Sequence, residues 1–121
     1  MILGTFRDHL ARASLTLSGI GGPVEIEFVV DTGFEGEMAL PRFLLARLDA
    51  RPLFHTRRRL ADGSIRECPA YEVSTDWNGD EINVQALILE GRPLIGTYLL
   101  DGCSLSIDLH DGGDVTIEFP A

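Results

Sequence analysis

The sequence lacks any apolar run that approaches the roughly 20 residues needed for a membrane-spanning helix. Its first residues also lack a signal peptide, because Arg7 and Asp8 arrive before any long apolar stretch has begun. Both absences predict a cytoplasmic protein that makes no contact with membranes.

Cysteine and histidine are scarce and widely spaced. Cys68 and Cys103 are isolated, so we expect two reduced, partly buried thiols, with a disulfide as the alternative. His9, His55 and His110 have no metal-ligand spacing, and the glycines around residues 18–23 do not complete a phosphate-binding pattern. The sequence therefore predicts neither a metal site nor a cofactor.

Positive charge is in the minority. Nineteen acidic residues face ten basic ones, which gives a formal charge of -9. Nucleic-acid binding needs clustered basic residues, and the run at residues 57–59 is too short to reverse the field of the whole chain. We interpret that run as a solvated strand or loop edge and expect no nucleic-acid partner.

What is present is a chain of short apolar segments separated by glycine-rich turns. The length of 121 residues and the apolar fraction of 45% suit one folded domain. Residues 13–17 and 24–30 alternate around a turn, residues 81–89 form an apolar-rich segment, and residues 104–109 and 115–119 flank the turn at 111–114. Many short strands with regular turns predict an all-β barrel or sandwich.

Two dipeptides favour tight hairpins. Asp62-Gly63 lies between predicted strands at about residues 56–60 and 65–75, and Asn78-Gly79 precedes the segment at 81–89. Residues 42–48 follow Pro41 and predict a short helix. A second helical turn is predicted near the end of residues 93–100.

Asp31, Thr32 and Gly33 form the segment that most needs a chemical explanation. Asp31 comes directly after the apolar residues 28–30, where an unpaired charge is costly. Thr32 supplies a hydroxyl, and Gly33 permits close approach of another backbone. This combination suits a carboxylate that activates water. The alternative is an ordinary turn closed by an aspartate hydrogen bond.

In this context the sequence resembles the retropepsin-like aspartic peptidases, in particular small bacterial members whose triplet is followed by phenylalanine. Val29-Val30-Asp31-Thr32-Gly33-Phe34 and Met38-Ala39-Leu40-Pro41 are similar to the catalytic loop and the strand after it. Leu60-Ala61-Asp62-Gly63-Ser64 is similar to the flap, and Pro93-Leu94-Ile95-Gly96 to the second half of the family pattern. The resemblance covers residues 14–119.

The resemblance implies one domain over residues 1–121, a closed retropepsin-like (acid protease) β-barrel with a flap hairpin and one or two short helices. Asp31 would be the acid–base residue, Thr32 would bond to the loop of a second subunit, and Gly33 would present its carbonyl to substrate. Substrate contacts are implied for the loop, the flap tip and the second-half segment: Phe34, Glu35, Ala61, Asp62, Gly63, Ser64, Ile95 and Gly96.

The chemistry needs two adjacent carboxylates that share one proton. The other Asp-Gly segments, at Asp62, Asp101 and Asp111, lack a hydroxyl residue between the aspartate and the glycine. We therefore expect a homodimer that brings together one Asp31 from each subunit. The predicted activity is hydrolysis of peptide bonds in a peptide or protein substrate.

Two positions depart from the retroviral members of the family. Thr97 and Tyr98 stand where those members have an arginine and an acidic residue, so Glu35 lacks the expected basic partner. A predicted C-terminal hairpin also replaces their single final strand. These departures motivate an alternative hypothesis, a catalytically weak or inactive peptide-binding or dimerisation module on the same fold.

Overall fold

The structure is a computed structural model that describes residues 1–59 and 61–121, with every side chain in them except those of Thr56 and Arg58. Strands account for 58% of the chain and helix for 5%, which confirms the all-β prediction. Leu60, predicted to end a strand, lies outside the described residues. No helix in the described part is long and apolar enough to cross a membrane.

Ten strands in the described part form one sheet. In chain order they are β1 (Ile2–Arg7), β2 (Leu10–Gly19), β3 (Gly22–Val30), β4 (Met38–Leu40), β5 (Arg51–Arg59), β6 (Ile65–Trp77), β7 (Asp80–Ile88), β8 (Leu94–Ile95), β9 (Ser104–Ile107) and β10 (Asp114–Glu118). Their order across the sheet is β5-β6-β7-β4-β8-β3-β2-β1-β10-β9. Strand β6 also pairs with β2, through Leu17 and Thr75, so the sheet curls until these two strands meet.

The predicted hairpins are present. Strands β6 and β7 pair antiparallel, and Trp77 and Asp80 are the pair next to the turn. Their two-residue turn needs positive φ at both positions, and Asn78 has φ 56° and Gly79 φ 90°. Strands β2 and β3 pair from Gly19 and Gly22, and β9 and β10 form the predicted C-terminal hairpin.

The structure contains the predicted short helix and, after Gly96, a single turn. Arg42–Arg47 forms one 3-10 helix. The next residue, Leu48, has an extended backbone and forms an isolated β-bridge with Gly19. Leu44 is its buried residue. The segment after Gly96 forms turns, with Leu100 N–H donating to the Gly96 carbonyl, and contains no helix over the described residues 97–101.

Strand β1 has no counterpart in the sequence predictions. It pairs with β2 on one side and with β10 on the other, so both ends of the chain lie inside the sheet. The turn between β1 and β2 is made by Asp8 and His9, which have φ 52° and 63°. No glycine marks this turn in the sequence, which is why the hairpin was missed.

The main core lies inside the curl of the sheet. Phe28 from β3, Leu17 from β2 and Met38 from β4 are almost completely buried, and all three residues of β4 are buried. Strand β4 is covered on both sides because it lies between β7 and β8. Burial of side chains this large stabilises the fold by about 1.5–3 kcal/mol each. The loop that leaves β3 is therefore anchored to a rigid base.

Candidate active site

Asp31 lies at the first position after β3, where the chain turns away from the core. Its backbone N–H donates to the Ile95 carbonyl at 2.9 Å, which continues the β3–β8 pairing for one more residue. Its Oδ1 accepts the Gly33 N–H at 2.9 Å, and the Phe34 N–H donates to its carbonyl at 3.1 Å. The carboxylate is half-buried and held by its own turn, so its position is well defined.

The residues that follow Asp31 differ sharply in exposure. Thr32, Gly33 and Glu35 are exposed, whereas Phe34 is buried. Within the described ranges, the Thr32 hydroxyl has no hydrogen-bond partner and Glu35 has no ion-pair partner. A Cβ at Gly33 would lie 3.2 Å from Asp31 Oδ1, so a larger residue there would press on the carboxylate.

Strand β8 passes between the two strands that flank the Asp31 loop. It is parallel to β3, with Val30 opposite Ile95, and antiparallel to β4, with Met38 opposite the same Ile95. Ile95 is fully buried in the main core. The two-residue strand thus fixes the separation between the start and the end of the loop at residues 31–37.

Three successive backbone amides after β8 donate hydrogen bonds to this loop. The N–H groups of Gly96, Thr97 and Tyr98 donate to loop carbonyls at 3.0, 2.9 and 3.1 Å. Their acceptors are the carbonyls of Glu37, Phe34 and Gly36, respectively. Each such bond contributes about 1 kcal/mol net to stability. Backbone hydrogen bonds therefore hold residues 34–37 of the loop against the segment that follows β8.

Thr97 occupies the position where the retroviral pattern has arginine. Its Oγ1 donates to the Phe34 carbonyl at 3.3 Å, the same oxygen that accepts the Thr97 N–H. Tyr98 is 66% exposed. The short hydroxyl side chain of Thr97, just after β8, thus makes a local contact to the loop where an arginine would reach further.

Gly96 is buried and lies where the loop comes closest. A Cβ on Gly96 would fall 2.2 Å from the Gly36 carbonyl oxygen and 2.6 Å from both the Phe34 carbonyl oxygen and its ring. Contacts under 3.0 Å essentially never occur for real Cβ atoms. Only glycine at position 96 therefore permits this packing of the β8 segment against the loop.

Phe34 ties the loop to the far strands of the sheet. Its ring is buried in a small cluster with Ala39, Ala70 and Leu87, from β4, β6 and β7. The Asp31 loop and the inner face of β6 are thus joined by apolar contact. The face of β6 that carries Ala70 is consequently the face turned toward the loop. Because side chains on one face of a strand recur every two residues, Cys68 and Arg66 lie on the same face as Ala70.

Asp31 and Thr32 open onto a groove of about 510 Å³, which we call the Asp31 groove. Its walls combine apolar residues, Val29 and Leu94 among them, with polar ones, and Glu90 and Arg92 supply charge at its rim. Neither of these rim residues was predicted from sequence. The available signal was their position just before Pro93–Gly96, the segment that is similar to the second half of the family pattern.

The predicted flap tip is formed by exposed residues at the β5–β6 turn. Asp62 Oδ1 accepts the Ser64 N–H at 2.9 Å and the Ser64 hydroxyl at 2.6 Å. The hydrogen bond from the Ser64 side chain lowers the pKa of Asp62. Among the described residues lining the Asp31 groove, none comes from residues 61–64. The structure thus brings together the predicted loop and second-half residues but not the flap tip.

Glu37 is a further positioning residue that sequence analysis missed. Its Oε1 accepts the Gln85 N–H of β7 at 2.7 Å, and its carbonyl accepts the Gly96 N–H. The end of the loop is therefore attached to β7 and to β8 at once. A carboxylate that accepts from a backbone N–H makes a stronger bond than a neutral acceptor.

The remaining candidate ligands do not converge. Cys68 and Cys103 are free, as predicted. Burial is the main cause that raises the pKa of the Cys103 thiol, and the nearby negative charge of Asp101 raises it further. Over the residues that the structure describes, no three His, Cys, Asp or Glu side chains are grouped closely enough to hold a metal ion. Comparisons with protein-family models, with curated proteins and with solved structures find no significant match.

Proposed function

We propose that the chain is one subunit of a retropepsin-like aspartic endopeptidase that acts as a homodimer. The observation that carries this proposal is the placement of Asp31 at a strand end, opening onto a groove, on a loop fastened by β8. The Asp-Thr-Gly triplet occurs once in the chain. Because the chemistry needs two carboxylates in contact, a second copy would have to supply the other Asp31.

The pairing of strands supports the finer fold assignment. The resemblance implies that the second-half segment passes beside the catalytic loop, and β8 lies between the strands before and after that loop. The additional β2–β6 pairing joins β6, β7, β4, β8, β3 and β2 into a circuit, which is compatible with a barrel. These features favour the retropepsin-like interpretation over a flat sheet or a sandwich.

In the proposed reaction a water lies between the two Asp31 carboxylates. One ionised carboxylate takes a proton from the water as it attacks the scissile carbonyl, while the protonated carboxyl of the other subunit passes its proton to the carbonyl oxygen. The resulting tetrahedral intermediate would then collapse with cleavage of the C–N bond, as the first carboxyl returns its proton to the leaving amine nitrogen. The exposed Thr32 hydroxyl is available to bond to the loop of the partner subunit. The Gly33 carbonyl would contact the substrate backbone, and residues 61–64 would close over the bound peptide.

The dimer contact would differ from one built by free terminal strands. Strand β10 is already paired with β1 of its own subunit, and β9 is the outer strand at that end of the sheet. Ile107 of β9 lines the Asp31 groove. The exposed Thr32 loop together with the open edge of β9 is therefore the surface that a second subunit would cover.

The decisive experiment replaces Asp31 by Asn. Asp31→Asn is expected to abolish cleavage of a denatured protein or peptide library between about pH 3 and 7 while leaving the fold and the dimer unchanged. Asp49→Asn is a matched control, because Asp49 is exposed and remote from the loop in sequence. Cleavage that persists in Asp31→Asn would refute the proposal, as would a protein that stays monomeric with substrate bound.

A non-catalytic peptide-binding or dimerisation module is the second candidate. The observation that favours it is the bond from Gly33 N–H to Asp31 Oδ1, which also closes an ordinary aspartate turn. This candidate predicts peptide binding that survives Asp31→Asn and no turnover in the wild type. Inhibition or tight binding by a statine-like transition-state mimic would count against it, because such compounds exploit the paired carboxylates.

A further inference from the structure

Positive charge is concentrated in one part of this acidic chain. Every basic residue is an arginine, and seven of the ten lie between Arg42 and Arg66. Only Asp49 and Asp62 oppose them there, so the segment carries a formal charge of +5 in a chain of -9. The short run at residues 57–59 is therefore one part of a larger basic region formed by the 3-10 helix, β5 and β6.

This basic region borders a second groove, of about 480 Å³. Arg42, Arg66, Cys68 and Leu89 line it, and Glu90 belongs to both this groove and the Asp31 groove. The two grooves thus meet at Glu90. Together they make a path, which we call the connected groove, from Asp31 past Arg92 to Arg42 and Arg66.

Within the described residues, the arginines of the connected groove form no ion pair. Arg7, Arg12 and Arg51 each form an ion pair elsewhere on the molecule. By contrast, Arg42, Arg66 and Arg92 have no carboxylate within 4.0 Å in the part of the chain that the structure describes. Glu67 and Glu90 line the same groove but form no ion pair with these arginines among the described residues. Three guanidinium groups therefore keep their donors available to a ligand.

We propose that the connected groove takes an extended peptide in which acidic side chains flank an apolar one. This inference rests on the proposed function, since it names the substrate class of the same site. The apolar side chain would lie on Val29 and Leu94 beside Asp31, and carboxylates on either side would reach Arg92 and the Arg42–Arg66 pair. Arginine binds carboxylates with two parallel hydrogen bonds, which gives both strength and orientation.

A peptide fits the charge pattern better than a nucleic acid does. Outside residues 42–66 the chain carries seventeen acidic residues against three arginines, and this surface would repel a continuous phosphate backbone. The charged residues that line the connected groove balance, with Arg42, Arg66 and Arg92 against Asp31, Glu67 and Glu90. A short acidic peptide would therefore depend on the donors of these three arginines rather than on net positive charge. The apolar walls at Leu89, Ile88 and Leu94 also match side chains of a peptide rather than a charged backbone.

The test measures binding rather than turnover. Three fluorescent peptides share one apolar centre and carry Glu, Gln or Lys at the flanking positions, and their affinity for the Asp31→Asn protein is measured by anisotropy at low and at physiological salt. We expect the Glu peptide to bind about tenfold more tightly than the Gln peptide, the Lys peptide to bind most weakly, and the difference to shrink with salt.

Charge-removing variants locate the effect. Arg66→Gln and Arg42→Gln should each weaken binding of the Glu peptide about three- to fivefold, and the double variant more, with little change for the Gln peptide. Arg47→Gln is the matched control, because Arg47 is exposed on the same 3-10 helix but lines neither groove. Its affinity for the Glu peptide should equal that of the parent protein.

The outcomes separate this inference from the proposed function. If the wild type cleaves all three peptides equally well and binds them equally, the substrate inference is wrong while the peptidase proposal stands. If the Glu peptide binds selectively through Arg42 and Arg66 but is never cut, the reverse holds. Tighter binding of a single-stranded oligonucleotide, lost in the same variants, would also overturn the inference.

Discussion

Replacing Gly96 by Ala tests whether the packing of β8 against the Asp31 loop is as tight as the structure indicates. The added Cβ would lie 2.2 Å from the Gly36 carbonyl oxygen and 2.6 Å from that of Phe34. Both atoms belong to the backbone, so no side chain can rotate away to make room. The loop or the β8 segment must move.

The expected cost follows from what that movement breaks. The Gly96, Thr97 and Tyr98 amides donate to three loop carbonyls, and each bond contributes about 1 kcal/mol. Loss of all three would lower the free energy of unfolding by about 3 kcal/mol. If the loop shifts in the folded protein, peptide cleavage should fall by more than the loss of folded protein explains, because the two Asp31 carboxylates must stay in contact.

Urea denaturation followed by tryptophan fluorescence measures this effect directly. Trp77 is the single tryptophan, and its ring packs edge-on against Phe119 with centroids 5.2 Å apart, so it reports on the folded sheet. Gly21→Ala is the matched control, because a Cβ there would meet nothing within 4 Å and Gly21 does not have positive φ. If the two variants differ by less than about 0.5 kcal/mol, the inferred close packing at Gly96 is wrong.

Three further predictions concern the flap, the loop end and the core. Ser64→Ala should raise the pKa of Asp62 toward its ordinary value of 3.8, which NMR titration measures. Because the pKa of Asp62 is lowered in the folded protein, the stability that this carboxylate contributes is present above pH 3.8 and is lost as the pH falls below that value. Glu37→Gln should lower the free energy of unfolding by about 1–2 kcal/mol, since the bond to the Gln85 N–H loses its charge. Phe28→Ala should cost about 3–5 kcal/mol in urea denaturation, because it leaves a cavity in the main core.

Each of these predictions has a matched control on an exposed residue. Ser14→Ala should leave the pKa of Asp62 unchanged, Glu25→Gln should leave stability within about 0.5 kcal/mol, and Phe43→Ala should do the same, because Phe43 is 72% exposed. An unchanged Asp62 titration in Ser64→Ala would contradict the assignment of the flap turn. Equal costs for Phe28→Ala and Phe43→Ala would contradict the assignment of the core.

Sequence reasoning succeeded where the signal is local. The turn at Asn78-Gly79 was predictable because two successive positive φ values favour those two residues. The alternation of residues 13–17 predicted a half-buried strand, and Ala13, Leu15 and Leu17 are buried as expected. The 3-10 helix was expected as a short helix because Pro41 favours a first helical turn, and the predicted range of residues 42–48 differs from Arg42–Arg47 by one residue at its end.

The missed elements have non-local causes. Strand β1 is joined to β2 by Asp8 and His9, which take positive φ without a glycine to announce it. Their conformation is favoured by the pairing of β1 with both β2 and β10, and the β10 partner lies more than 100 residues away in sequence. A turn that depends on such pairing cannot be recognised from its own composition.

By itself, the sequence determined that the chain forms short strands and that an aspartate, a hydroxyl and a glycine follow β3, because alternation and turn chemistry are properties of neighbouring residues. Only the tertiary structure decided that Ile95 lies between Val30 and Met38, that Gly96 contacts the Phe34 carbonyl, and that Arg92 borders the same groove as Asp31. Those contacts join residues about 60 positions apart, and their geometry depends on how the sheet curls rather than on any local preference.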